Sequence, residues 1–351
     1  SDNKETLPFL NSLSQIRTFL NHEGIFLRIF FYNNKWFIST NKKLNAFRSK
    51  WSSKDSYGNI FKNAVDFLYY KEGSEIKKLL GNNISQPYKS FLNTLDKDNV
   101  YLLLLQNTFE NRVVCNSNQF PSVYHVGTYI NNELQLDDNI SLPKLEEKNF
   151  DSNEDLLDYV NNLSIQESPG LYIFNNNIPY YIMKSEYSKL YNIRGNEPSI
   201  KFRYLQIRMD REKVDMLYYL YPKFADQFDN YENILYESAK QINFNYIKRF
   251  IKKKYITVPR EDYQIMKLCH KWHLQNRERN RISLSKIIEI MNEQDASVLN
   301  RIIRKYKNEK QNLQTRQQIR LLNPRAKSYG TPQIKPMELD SSEDNINKIE
   351  I

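Results

Sequence analysis

Cys269, His270 and His273 form the densest grouping of cysteine and histidine in the sequence. On a helix these residues would partly share a face, and a thiolate with imidazoles suits Zn²⁺. A complete zinc site needs further ligands, and only His22 and His125 remain as histidines elsewhere in the chain. The sequence therefore favours a packing or RNA-contact role for the three residues, and we predict no metal site.

Cations that could contact phosphates are dense from residue 248 onward. Aromatic side chains lie among them, and such rings can stack on unpaired bases. We predict a nucleic-acid-binding surface, with RNA as the first partner to consider. The candidate residues are Lys248, Arg249, Lys252, Lys253, Lys254, Lys271 and Trp272. The alternative is an ordinary solvated face, because acidic residues interrupt the basic run.

A second set of candidates lies near the N-terminus, where Glu23 and Gly24 precede a predicted β-hairpin and Arg48 and Lys50 follow it. The stretch 23–53 resembles the first active-site hairpin of the phage-type RNA ligases, members of the covalent nucleotidyltransferase superfamily. In that family a lysine attacks the α-phosphate of ATP and forms a lysyl-AMP intermediate. At the matching position this sequence has Asn21.

Because an amide cannot be that nucleophile, the catalytic residue stays unknown. Lys42 and Lys43 lie near the end of the predicted hairpin and loosely imitate the family's lysine motif in a second registration. They are the candidate nucleophiles under that alternative.

Two later segments extend the resemblance. The stretch 101–115 matches a ligase strand ending in Glu-Asn-Arg-Ile-Val, although Leu105 stands where the family has a carboxylate. The stretch 167–191 matches at Gly170 and Lys184, although Pro169 replaces a glutamate. The resemblance implies ATP and Mg²⁺ as cofactors. The residues implied as nucleotide contacts are Glu23, Arg48, Lys50 and Lys184.

The ligase-like proteins of large DNA viruses are similar to this chain at Trp36, Ser39 and Thr40 and again over 194–199. The resemblance implies an RNA-ligase-like nucleotidyltransferase that acts on nucleic-acid ends. The alternative is a catalytically inactive ligase fold that serves as an RNA-binding or virion-associated interaction protein. A third alternative is a structural assembly protein that uses tyrosine-rich surfaces.

The elements that must position these residues change in kind along the chain. Alternating and continuous apolar runs predict hairpins over 24–40 and 170–183, a helix over 57–69 and a strand pair at 100–105 and 112–115. Beyond residue 209, apolar spacing predicts helices only. We predict an α+β protein: an N-terminal nucleotidyltransferase-like domain with a mixed antiparallel sheet over 1–205, an all-helical basic domain over 206–312 and a flexible tail over 313–351.

Composition narrows the classes of function. The excess of 51 Lys and Arg over 41 Asp and Glu favours a polyanionic partner. The 8 glycines include no dinucleotide-binding or P-loop pattern. Because the sequence has no long apolar run, we predict no membrane partner. Because its cysteines are not paired in sequence, we predict a reducing compartment, either cytoplasmic or nuclear. For a viral protein this would be the host cytoplasm or the virion. The acidic tail is a candidate site for protein partners.

Overall fold

The computed structural model describes residues 16–176 and 178–322. The α+β class predicted from the sequence is confirmed, because antiparallel sheets extend to Met183 and the described residues beyond it form helices and no further strand. The strands are β1 (Ile16–Leu20), β2 (Gly24–Tyr32), β3 (Lys35–Thr40), β4 (Val100–Gln106), β5 (Val123–Ile130), β6 (Glu133–Gln135), β7 (Glu147–Lys148), β8 (Gly170–Asn175) and β9 (Ile178–Met183).

The helices of the first half follow or interrupt the strands, and those of the second half succeed one another directly. They are α1 (Tyr57–Tyr70), α2 (Glu75–Leu80), α3 (Pro87–Thr94), α4 (Asn153–Asn162), α5 (Ser185–Arg194), α6 (Ile200–Ile207), α7 (Arg211–Leu220), α8 (Ala225–Tyr246), α9 (Arg260–Gln275), α10 (Leu284–Asn292) and α11 (Ala296–Leu322). A π-helical turn, Ile247–Ile251, follows α8.

The strands form two antiparallel sheets. One has the order β3-β2-β4-β5-β6 and the other the order β7-β1-β8-β9. β1 belongs to one sheet and β2 to the other, so the three residues between them, 21–23, connect the sheets. Leu27 and Ile29 on β2 are fully buried in a cluster that also contains Phe61 of α1. Strand β2 is therefore held by a packed core.

Both predicted hairpins are present. β2 and β3 pair from Leu27 opposite Thr40 to Tyr32 opposite Lys35. The connecting residues Asn33 and Asn34 have φ values of 47° and 59°, the left-handed conformation that a two-residue hairpin turn requires and that asparagine tolerates. β8 and β9 form the second hairpin.

The strand predicted at 112–115 is wrong, because the structure has irregular backbone there. The amide groups of Val113, Val114 and Cys115 donate to the carboxylate of Glu23 instead of to a neighbouring strand. The apolar side chains are nevertheless buried, as the run predicted.

The helical second half also differs from the prediction at two ends. The apolar spacing of the sequence predicts one helix over 231–255, but the α-helix stops at Tyr246 and a π-helical turn follows it. α11 continues to Leu322, so the tail predicted from residue 313 starts with ten helical residues. The acidic part of that tail lies outside the described residues.

The chain divides into two compact units between Glu232 and Asn233, within α8, whereas the sequence predicted a boundary near residue 205. The later division has a physical cause. The hydroxyl of Tyr221 donates to the carbonyl of Val113 at 2.7 Å, and the hydroxyl of Tyr204 donates to Glu232 at 2.8 Å. These bonds attach α6, α7 and the start of α8 to the first unit.

Across the described ranges, the helices are all too short or too polar to span a lipid bilayer.

Candidate functional site

The segments that carry the ligase resemblance meet where the two sheets join. The amide of Asn21 donates to the carbonyl of Gly170 at 3.0 Å. Gly24 begins β2 opposite Gln106 at the end of β4, and Gly170 begins β8 opposite Met183 at the end of β9. Asn21, Gly24 and Gly170 are thereby brought into one neighbourhood.

Two glycines allow this close approach. A Cβ atom on Gly24 would lie 2.3 Å from the carbonyl oxygen of Leu105. A Cβ atom on Gly170, whose φ is 150°, would lie 1.9 Å from the carbonyl oxygen of Ile182. Any other residue would force the paired strands apart at both positions. Close packing of the backbones therefore requires glycine at both positions.

Glu23 is buried and its carboxylate contacts four donors of the protein itself. One oxygen accepts the amide of Val113 at 2.8 Å; the other accepts the amides of Val114 at 2.7 Å and Cys115 at 3.2 Å and the hydroxyl of Tyr187 at 3.0 Å. The carboxylate thus fastens a loop and α5 to the junction of the sheets. These contacts occupy the side chain that the resemblance implied as a nucleotide contact.

The environment of Glu23 also keeps a nearby hydroxyl and a nearby thiol in their neutral forms. Burial, reinforced by the Glu23 carboxylate, raises the pKa of the Tyr187 hydroxyl. The hydroxyl therefore stays protonated and donates a hydrogen bond to Glu23. The same two causes raise the pKa of the Cys115 thiol. A thiol held in its neutral form is a poor nucleophile.

Asn21, which the resemblance aligns with the lysine of the ligases, is 6% exposed. Its side-chain oxygen has no hydrogen-bond partner in the described part of the protein, and neither has Nδ1 of the neighbouring His22. The His22 ring stacks on Tyr124 with centroids 4.8 Å apart, and burial lowers the pKa of the imidazole. The position therefore offers neutral amide and imidazole groups and no amine.

Lys184 lies beside this junction, and its amide donates to the carbonyl of Pro169 at 2.9 Å. Its ammonium group donates to the carbonyl of Leu163 at 2.8 Å and lies 3.8 Å from the carboxylate of Glu186. The side chain thus anchors the end of α4 through one of the three N–H donors of its ammonium group.

Lys42 and Lys43 lie in the turn that follows β3, and both are exposed. The hydroxyl of Thr40 accepts their amides, and the ammonium of Lys43 donates to the carbonyl of Arg48 at 3.2 Å. Both candidate lysines are presented to solvent from this turn, which follows the pairing of Thr40 with Leu27.

Arg48 and Lys50 border the short helical turn 46–48, and both side chains are exposed. Ser49 between them is buried, and its carbonyl accepts the amide of Tyr57 at the start of α1. The basic pair is therefore presented to solvent from a fixed turn.

Sequence reasoning missed a cavity of about 450 Å³ in the first unit. Its lining includes the cations Arg112, Lys201 and Lys223 and the carboxylate of Glu110. Tyr221 also lines the cavity, and the Arg112 guanidinium lies 5.2 Å from the centre of its ring. The charges come from segments distant in sequence, which is why no local pattern indicated the cavity.

Arg194 is fully buried behind Tyr221. Its guanidinium lies 4.7 Å from the centre of the Trp51 ring and donates to the carbonyls of Glu197 and Pro198. The resemblance over 194–199 assigns no role to this arginine. In the structure this residue fixes the loop that leads into α6.

The predicted nucleic-acid surface begins at the π-helical turn after α8. Phe244, Ile251 and Tyr255 are exposed there, and Tyr255 is 94% exposed. The exposed cations of the segment follow the turn: Lys252, Lys253 and Lys254.

Lys248 and Arg249, by contrast, support the segment. The Lys248 ammonium lies 4.1 Å from the centre of the Phe244 ring. Arg249 lies over Tyr263 at 4.8 Å and donates to the carbonyl of Ile256 at 3.2 Å. We call residues 244–255 the basic aromatic segment.

The two remaining candidates lie on α9. Lys271 is exposed. Trp272 is half-buried, and the ammonium of Lys286 lies 4.4 Å from the centre of its ring. That contact covers one face of the indole.

The cysteine and histidine grouping serves packing. Cys269 is buried, and burial raises the pKa of its thiol to about 11. Nδ1 of His270 lies 3.2 Å from the hydroxyl of Tyr246, and Nδ1 of His273 lies 2.6 Å from the carbonyl of Asn280. Within 16–176 and 178–322, no group of three or more His, Cys, Asp or Glu side chains could hold a metal ion.

No protein-family model matches the chain. It is similar to the immediate-early protein ICP-46 homolog of Invertebrate iridescent virus 6, with 28% identity over 304 residues, which cover 80% of this chain and 66% of that protein. The homolog of the same name in Invertebrate iridescent virus 3 is 30% identical over 251 residues, which cover 70% of this chain and 53% of that protein. The chain thus spans between about half and two thirds of the length of these relatives.

Proposed function

We propose that the chain is a nucleic-acid-binding protein with a ligase-like first unit that forms no covalent lysyl-nucleotide intermediate. The basic aromatic segment is the observation that carries the proposal. Tyr255 is 94% exposed and directly follows three exposed lysines. A fully solvated tyrosine ring beside cations suits stacking on an unpaired base whose backbone the cations neutralise.

Single-stranded RNA is the first ligand to test. We expect a fluorescein-labelled 20-nucleotide RNA to bind with an affinity that falls steeply as salt rises, because each phosphate contact releases counterions. Tyr255→Ala should weaken binding by about 5- to 100-fold, in line with one lost stacking contact. Lys252→Gln with Lys254→Gln should also reduce the slope of the logarithm of affinity against the logarithm of salt concentration, by about 1.4 for a single strand. Fluorescence anisotropy measures both effects.

The matched control removes two exposed lysines of the first unit, with Lys35→Ala and Lys71→Ala. Unchanged RNA affinity in that variant supports the proposal. Equal weakening in both lysine variants would point to a general effect of net charge. No RNA retention together with salt-insensitive oligomers would overturn the proposal in favour of a structural assembly protein.

A second candidate function, RNA ligation with ATP and Mg²⁺, is favoured by the meeting of the motif segments around Asn21 and Gly170. The residues present do not fit that chemistry. Asn21 supplies no amine at the position that the resemblance assigns to the nucleophile.

We expect no covalent label after incubation with α-labelled ATP or GTP and Mg²⁺, followed by denaturing electrophoresis. The reason is the lack of an amine at the lysine position. A label that survives denaturation and is lost in Lys42→Ala, Lys43→Ala or Lys184→Ala would reverse this conclusion. It would also identify the nucleophile.

We propose action in the cytoplasm or nucleus of an infected cell. This is supported by the names of the relatives, which are immediate-early protein homologs of iridescent viruses. We also propose that the acidic tail binds other proteins.

A further inference from the structure

Three helices of the second unit pack together: α9 lies against both α10 and α11. Their inward-facing apolar residues are Ile265, Met266, Cys269, Ile287, Ile290, Met291, Leu299, Ile302 and Ile303. A buried ion pair joins α9 to α11, with both carboxylate oxygens of Asp262 2.7 Å from the ammonium nitrogen of Lys305. The position of α11 on this core is therefore fixed by packing and by charge.

A turn of three residues, 293–295, connects α10 to α11. The side chain of Gln294 donates to the carbonyl of Ile290 at 2.8 Å, which closes the turn on the end of α10. The carbonyl of Asp295 accepts the amide of Val298 and starts α11. Two helices joined by a three-residue turn and backed by a third helix are the elements of a helix-turn-helix unit.

The outer face of α11 is polar and positively charged near its start. Ser297, Arg301 and Arg304 are exposed, whereas Leu299 and Ile302 are buried. Residues spaced by three and four positions share one face of a helix, so the three exposed side chains form a stripe. Arginine and serine are side chains that hydrogen-bond base edges in the major groove of DNA.

The start of α10 offers groups for the sugar-phosphate backbone. Arg279 and Arg281 are exposed in the loop that precedes it. The hydroxyl of Ser283 caps α10 by accepting the amide of Lys286. The first turn of a helix favours a phosphate, and flanking arginines strengthen that preference. Over residues 260–310, 12 Lys and Arg face 7 Asp and Glu, which suits a polyanion.

α11 also extends beyond its core. Every side chain from residue 307 to residue 318 is exposed. The segment is rich in asparagine and glutamine and includes Lys310 and Arg316. A helix without an apolar face gains little stability from packing, so this segment is accessible to a polar partner. A nucleic-acid groove supplies such a partner.

We propose that α9–α11 bind duplex DNA as a helix-turn-helix unit, with α11 in the major groove. Ser297, Arg301 and Arg304 contact base edges. Arg279, Arg281 and the start of α10 contact the phosphates. The proposed duplex contacts come from α10, α11 and the loop before α10, whereas the basic aromatic segment packs against α9 through Arg249 and Tyr263. The two surfaces take different nucleic acids.

The test uses the full chain and a fluorescein-labelled 24-base-pair duplex of random sequence. We expect salt-dependent binding that Arg301→Ala with Arg304→Ala weakens at least tenfold. The same variant should bind the 20-nucleotide RNA with unchanged affinity. Arg279→Ala with Arg281→Ala should weaken all duplexes alike and reduce the salt slope by about 2, as expected for phosphate contacts.

Selection from a randomised duplex library provides the second readout. The wild-type chain should enrich a preferred sequence, and Arg301→Ala should relax the preference at a single position while circular dichroism shows an unchanged helix content. Duplex binding that is unaffected by the Arg301 and Arg304 substitutions would overturn the proposal. Enrichment of no sequence would also overturn it, as would equal losses of duplex and RNA binding. The Lys35→Ala, Lys71→Ala variant serves as the charge-matched control.

Discussion

Replacement of Glu23 by alanine is expected to lower the free energy of unfolding by about 3–6 kcal/mol. The substitution removes the acceptor of the Val113, Val114 and Cys115 amides and of the Tyr187 hydroxyl. Each buried donor left without a partner costs about 1–3 kcal/mol. Chemical denaturation monitored by circular dichroism measures the change.

Two further variants sharpen the Glu23 experiment. Glu23→Gln keeps one carbonyl acceptor and should lose roughly half as much stability. Glu110→Ala is the matched control, because its carboxylate also accepts two donors, from Ser53 and Lys54, but is exposed. A Glu23→Ala protein as stable as the wild type would show that the carboxylate is free for a ligand, as the ligase resemblance implied.

Replacement of Lys305 by methionine is expected to lower the free energy of unfolding by about 3–5 kcal/mol. The substitution leaves Asp262, which is fully buried, without its cation. Asp262→Ala combined with Lys305→Met removes both charges and should recover most of the loss. Lys78→Met breaks the exposed pair with Glu75 and should cost less than about 1 kcal/mol.

The Lys305→Met effect should depend on pH. Burial raises the pKa of Asp262, and the Lys305 ammonium opposes that rise. A raised pKa in the folded state means that the carboxyl contributes stability below its unfolded pKa and loses it as pH rises through the folded value. Without Lys305 the pKa rises further. The variant should therefore be closest to the wild type at about pH 4 and fall behind towards neutral pH. A deficit that is constant across this range would contradict the assignment.

Sequence reasoning succeeded where local chemistry decides the structure. The Asn33-Asn34 turn specifies a hairpin through the left-handed conformation of two residues, and α1 follows from apolar spacing alone. It failed where a residue distant in the sequence determines the local structure. The apolar run 112–115 has the composition of a strand, but its amides bind a carboxylate 90 residues earlier in the chain.

The candidate site shows the same limit. The order of motifs did not predict that Asn21, Gly24 and Gly170 would lie close together, where strand ends of the two sheets meet. It could not indicate that Lys184 would donate to Leu163, since nothing local to either residue specifies that contact. The helical continuation 313–322 was missed because it lacks apolar periodicity. Its glutamine, arginine and leucine content favours a helix and was the available signal.

The unbroken course of α8 determines how the protein can be dissected. The two compact units divide inside this helix, between Glu232 and Asn233, and no loop lies at the division. A fragment that ends at residue 205 would lose Tyr221 and the acceptor that Glu232 gives to Tyr204. A fragment that starts at residue 233 would begin in mid-helix with uncapped amides. Viable truncations, and any natural exchange of either half between related genes, must therefore keep α8 whole on one side of the cut.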